Sequence, residues 1–108
     1  MTNFRFTNLF SGNKPLIGMV HLSPLPGYPG YKGMGVLMEK ALIELKTLEK
    51  AEYAGALVEN TDVPGFVGAS LQTKKAMAEV VKKLVKHSNI PVGLGIIYDM
   101  SATVEVAY

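Results

Sequence analysis

Lys14-Pro15-Leu16-Ile17-Gly18-Met19-Val20-His21-Leu22-Ser23-Pro24-Leu25-Pro26-Gly27 carries an apolar run straight into a loop stiffened by two prolines, with a histidine at the junction. Leu16 to Val20 is almost wholly apolar and reads as a short strand buried on both faces, the kind found in parallel sheets. Such a strand delivers the side chain that follows it to a fixed point at the carboxyl edge of the sheet, where α/β proteins assemble their chemistry. His21 stands at that point. Prolines at 24, 26 and 29 and glycines at 27, 30, 33 and 35 keep residues 21–35 out of regular structure. That is long for a βα connection, and long ordered loops tend to carry function.

Downstream the pattern alternates. Val36 to Ala54 has helical periodicity, with Met38, Ala41, Leu42, Leu45, Leu48 and Ala51 on one face and Gly55 as the stop. Ala56-Leu57-Val58 is a second short strand ending in Glu59-Asn60. Thr61 to Ala69 is a loop, and Ser70 is placed to cap a helix over Leu71 to His87. Ala76, Met77, Val80, Val81, Leu84 and Val85 form the inner stripe of that helix, and Lys74, Lys75, Lys82, Lys83 and Lys86 form its wet face. Ile90 to Ile97 is the third strand. Either Asp99 or Ser101 can cap a third helix beginning near Ala102. Upstream, Thr7-Asn8-Leu9-Phe10 before Gly12 reads as a helical turn, so residues 1–13 form a capping segment whose phenylalanines cover one end of the core.

The order β-α-β-α-β-α, repeating every 35–40 residues or so, specifies an α/β fold with a parallel sheet. The units are of TIM-barrel type, but only about three βα repeats are present where a barrel has eight. Three parallel strands leave two open edges. The expectation is therefore either a missing C-terminal part of the barrel or self-association of this chain.

Composition narrows the function classes. The chain has 108 residues, 48% of them hydrophobic and 19% charged, which is too apolar for disorder. A net charge of +2 without a dense basic stripe gives no reason to expect a nucleic-acid partner. There is no cysteine, hence no disulfide framework and no cysteine-based zinc site. No apolar run reaches the roughly 20 residues that a membrane span requires.

The strand ends offer His21, then Glu59, Asn60 and Asp62, then Tyr98 and Asp99. All would lie at one edge of a parallel sheet. A histidine beside carboxylates suits general acid–base work, so His21 and Glu59 are the catalytic candidates, with Asn60, Asp62 and Asp99 as ligand-binding candidates. Structural roles stay open for each. His21 can bond backbone in the proline loop, Glu59 can serve in a structural pair, Asp62 can set an Asx-turn and Asp99 can cap a helix. These residues lack the tight spacing of a metal motif, so no metal is assigned and no cofactor is identified. The glycines match neither a P-loop nor a dinucleotide fingerprint, and Gly93 and Gly95 suit close packing within a strand.

Residues 14–27 resemble the opening of the BtpA family, which begins K-P-[VIL]-I-G-[MV]-[VI]-H-L-x-P-L-P-G. Gly55-Ala56-Leu57-Val58-Glu59-Asn60 with Asp62-Val63-Pro64 and Phe66 resembles the second-strand block, and Ile90-Pro91-Val92-Gly93 the third. Where family members place an asparagine and an arginine after that block, this chain has Gly95 and Tyr98. The resemblance implies that residues 14–108 are part of a TIM barrel. It also implies a cytoplasmic location, at most peripheral to a membrane, and a role in assembling or stabilising photosystem I reaction-centre proteins in photosynthetic hosts. Two alternatives stand beside that role: an enzyme or binding protein for a small, perhaps phosphorylated, metabolite, and a truncated remnant without activity. Whether the chain is an enzyme is left open.

Overall fold

Ile17–His21 forms the first strand, β1, and its side chains alternate between two environments. Gly18 and Val20 are buried, whereas Ile17 and Met19 are 44% and 40% exposed. The expectation of a strand buried on both faces is corrected here. Among the described residues the helices cover one face of the sheet, and on the opposite face the Phe10 ring lies beside Gly55. The computed structural model from which these positions are taken describes residues 10, 14–60, 69–97 and 99–108. The turn expected at Thr7–Phe10, apart from Phe10 itself, lies outside the described residues, as do Asp62 and Tyr98.

The chain runs β1, α1 (Met34–Lys50), β2 (Gly55–Glu59), α2 (Leu71–His87), β3 (Val92–Gly95) and α3 (Met100–Ala107). The three strands form one parallel sheet in the order β1-β2-β3. Ile17 pairs with Gly55, Met19 with Leu57 and His21 with Glu59. Leu57 in turn pairs with Gly93, and Glu59 with Gly95. The covered face packs Val20 and Val58 against Leu37, Ala41 and Leu45 of α1 and Met77, Val80 and Leu84 of α2.

Helix α2 matches its expected bounds because its signals are local. The Ser70 hydroxyl accepts the Thr73 N–H at 3.1 Å, satisfying one of the free donors of the first turn. Two details of its stripe differ. Val85 is exposed, and Lys74 is drawn from the wet face to pair with Glu105 of α3 at 3.0 Å. Helix α1 begins two residues before the expected Val36, at a Gly33 cap whose φ of 107° only glycine adopts readily. It ends at Lys50 rather than Ala54. The reversal falls on Glu52, at φ 64°, so Gly55 is not the stop but the first residue of β2. A side chain at Gly55 would lie 3.2 Å from the Phe10 ring, which packs against the amino end of the sheet.

Strand β3 is shorter than Ile90–Ile97. Pro91 has no N–H to give a ladder, although its carbonyl still accepts the Ala56 N–H at 3.0 Å. After Gly95 the chain turns, and Ile96 O accepts the Asp99 N–H at 3.1 Å. At the amino side, Glu49 of α1 clamps the turn before β3, accepting the Asn89 N–H at 2.7 Å and Lys46 Nζ at 3.0 Å. Lys46 also donates to the His87 carbonyl.

Candidate functional site

His21 is the last residue of β1 and Glu59 the last of β2, and the register sets them side by side. His21 Nε2 lies 4.0 Å from Glu59 Oε1, with the histidine side chain 54% exposed and the glutamate 27%. Two strands joined in register through a helix of ordinary length suffice for this meeting, because both side chains fall on the face of the sheet opposite the helices. The ladder continues one residue beyond the strands, where the Leu22 N–H donates to Glu59 O at 3.0 Å. Lys40 of α1 reaches over the same edge, donating to His21 O at 3.3 Å and pairing with Glu44 at 2.6 Å.

Glu59 owes its position to a missing side chain. A Cβ at Gly95 would lie 3.0 Å from Glu59 Oε2 and 3.1 Å from its Cγ, so the glutamate lies over the glycine. The close-packing role read from the Gly93–Gly95 pair thus acquires a specific partner. Glu59 also lines an open cleft of about 580 Å³ together with Gly95, Ile97, Asp99 and Thr103.

Asn60 and Asp99 are held by structural bonds. Asn60 is only 3% exposed, and its Oδ1 accepts the Ile97 N–H at 2.8 Å, tying the end of β2 to the turn after β3. Asp99 caps α3, its Oδ1 accepting the Ala102 N–H at 2.9 Å, while Oδ2 accepts the Ala69 N–H at 2.8 Å. Of the two caps left open by the sequence, Asp99 is the one used. Sequence reading missed Thr103, whose hydroxyl accepts the Ile96 N–H at 2.8 Å and donates to Asp99 O at 2.9 Å. Its only signal is its place one helical turn after the cap. Among the described residues no group of three His, Cys, Asp or Glu side chains could hold a metal ion.

The bonds to Asp99 predict a pH response. The Ala102 N–H, then the Ala69 N–H, with Lys74 nearby, hold its carboxyl below the ordinary 3.8. The Asn89 N–H, with help from Lys46 and Ser88, holds Glu49 below 4.5. A folded-state value below the unfolded one stabilises the fold above the unfolded pKa, and that contribution is lost as pH falls through the folded one. The melting temperature is therefore expected to be level above pH 4.5 as far as these groups are concerned, and to fall below pH 3.8. Asp99→Asn should flatten that fall in a pH series of thermal melts.

With the site's geometry in view, comparison with known proteins places the chain. Residues 12–108 match the BtpA family. The chain belongs to the BtpA family. It is 34% identical over 100 residues to an uncharacterised protein of Pyrococcus abyssi, covering 90% of this chain and 39% of that protein. It is 40% identical over 98 residues to an uncharacterised protein of Thermococcus kodakarensis, covering 88% and 38%. The putative sgc region protein SgcQ of Escherichia coli is 29% identical over 98 residues, covering 87% and 37%. This BtpA-family chain therefore spans about two-fifths of the length of these relatives. No solved structure matches it. Among its described residues no helix is long and apolar enough to cross a membrane.

Proposed function

We propose that this chain supplies the first three βα units of a TIM-type barrel that binds a small polar metabolite, with His21 and Glu59 as its acid–base pair. The observation that carries this reading is the register pairing of His21 with Glu59 at the carboxyl ends of adjacent parallel strands. At 4.0 Å the two groups are too far apart for a direct hydrogen bond. A ligand hydroxyl or a water can bridge them, so the imidazole can move a proton while the carboxylate steadies its charged form. Asn60 and Asp99 act as positioning residues that fix the chain after β3 beside Glu59. Lys32 lines a second cleft of about 440 Å³ at the loop after β1, where its charge favours an anionic ligand such as a phosphorylated metabolite, while Lys40 on the same wall is paired with Glu44.

The photosystem I assembly role implied by the family resemblance is the weaker reading. The relatives come from archaea and Escherichia coli, which carry no photosystem. The metabolite reading is tested by following the imidazole signals of His21 while inorganic phosphate, ribose 5-phosphate and glucose 6-phosphate are titrated in. The chain has two histidines, and His21→Ala assigns the signals. At least one probe should shift His21, and Glu59→Gln should weaken that probe's binding by about tenfold, the worth of one good polar contact at about 1.4 kcal/mol. Titrations in which no probe moves His21, or in which Glu59→Gln binds as the unmodified chain does, would remove the support for this reading.

A further inference from the structure

The loop after β1 contains a hydroxyl with nothing to bond. Ser23 Oγ is cut off from water and makes no hydrogen bond, and no other side-chain polar atom among the described residues is in that state. Buried polar groups are almost always paired, so a lone one asks for the group that would complete it. The hydroxyl can turn among its staggered settings and donate to an acceptor placed beside it. Ser23 lines the cleft of about 440 Å³ that this loop forms with the first two turns of α1.

The start of α1 opens on the same cleft, through Gly33, Val36 and Leu37. The first N–H groups of a helix have no partner within it and carry partial positive charge. Here no side chain caps them, and the first turn has no acidic residue. The approach to them is clear, since a Cβ added at Gly33 or at Gly35 would meet nothing within 4 Å. Lys32, exposed on the cleft wall, adds a full positive charge.

We infer that this cleft holds the phosphoryl group of a small phosphate monoester. The N–H groups of Gly35 and Val36 bind its oxygens, the Ser23 hydroxyl donates to it, and Lys32 balances its charge. A helix start, a fixed hydroxyl and a cation are complementary donors for one compact anion. The phosphoryl oxygen also supplies the acceptor that Ser23 lacks. Lys40 joins the cleft to the end of β1, for it lines the one and donates to His21 O at 3.3 Å. A monoester anchored here therefore extends toward the sheet edge that carries His21 and Glu59. The assignment rests on the metabolite reading of that pair and adds to it the grip on the anion.

Titrating the isotope-labelled chain with ribose 5-phosphate should shift the backbone amide signals of Gly35 and Val36, and ribose at the same concentrations should leave them in place. Ser23→Ala and Lys32→Gln should each weaken binding of ribose 5-phosphate by about three- to tenfold, the loss of one contact to a charged group. Ser23→Ala should at the same time keep or raise the melting temperature, because it removes a buried hydroxyl that has no partner. Should that variant fail to fold, Lys32→Gln carries the test, since its side chain is exposed. Lys82→Gln, exposed on α2 and outside the cleft, should bind as the unmodified chain does. Amides at 35 and 36 that stay still while ribose 5-phosphate moves His21 would overturn the subsite and leave the metabolite reading standing. Amides that shift while no probe moves His21 would support the subsite and count against the acid–base pair. Inorganic phosphate shifting them where ribose 5-phosphate does not would overturn the proposal in favour of a site for the free anion. Unchanged affinity in both Ser23→Ala and Lys32→Gln would overturn it as well.

Discussion

Leu45→Ala should remove about 2–5 kcal/mol of stability, the usual cost of emptying a fully buried leucine site that cannot collapse. Leu45 is 0% exposed and lies in the core that α1 shares with Val20 and Val58. A domain of this size holds about 5–15 kcal/mol in total. The loss is therefore a large part of the whole, equivalent to a drop of about 10–30 °C in melting temperature. Urea unfolding at a fixed protein concentration measures it, and the fixed concentration matters because self-association would add to apparent stability. Ile43→Ala, two residues earlier on the same helix and 60% exposed, should change stability by no more than about 0.5 kcal/mol. Equal effects at the two positions would mean that α1 does not present the face described to the sheet.

Asn60→Ala should cost about 1–3 kcal/mol, because it leaves the Ile97 N–H without its acceptor in a part-buried position. Asn60→Asp retains an oxygen at the same place and should recover most of the loss near neutral pH. The readout specific to this bond is hydrogen exchange at the Ile97 amide, which should quicken in the alanine variant while amides in α1 keep their protection. Unchanged exchange at Ile97 would show that Asn60 does not tie β2 to the turn after β3.

The sequence made the helices legible where their signals were local. Ser70 and the stripe from Ala76 to Leu84 need only neighbours within one or two turns, so α2 was read with its bounds. Helix α1 was read as a helix but not at its ends. Gly55 is the residue that usually stops a helix, yet the reversal sits on Glu52, and no local pattern marks a left-handed glutamate. The exposure of Ile17 and Met19 was illegible for a different reason. An apolar run shows that a strand can be buried, but not whether a layer exists to bury it.

The site divides in the same way. The order of the strand ends, with His21 after the first run and Glu59 after the second, was sufficient to bring the pair together once both strands were parallel. The positioning of Glu59 by Gly95 and the tie from Asn60 to Ile97 each join residues more than 30 apart in the chain, and nothing near either residue announces its partner. Asp99 was legible as a possible cap, but the bond it accepts from Ala69 was not.

The sheet's strands lie in the order in which they are made, β1-β2-β3. Each strand needs only the one synthesised before it, and among the described residues no pairing joins the first strand to the third. Folding can then proceed by accretion, with each βα unit settling on the edge left by its predecessor and no loop longer than one unit to close. A chain built in this way has natural resting points during synthesis, and each resting point exposes one fresh edge for as long as the ribosome takes to supply the next strand.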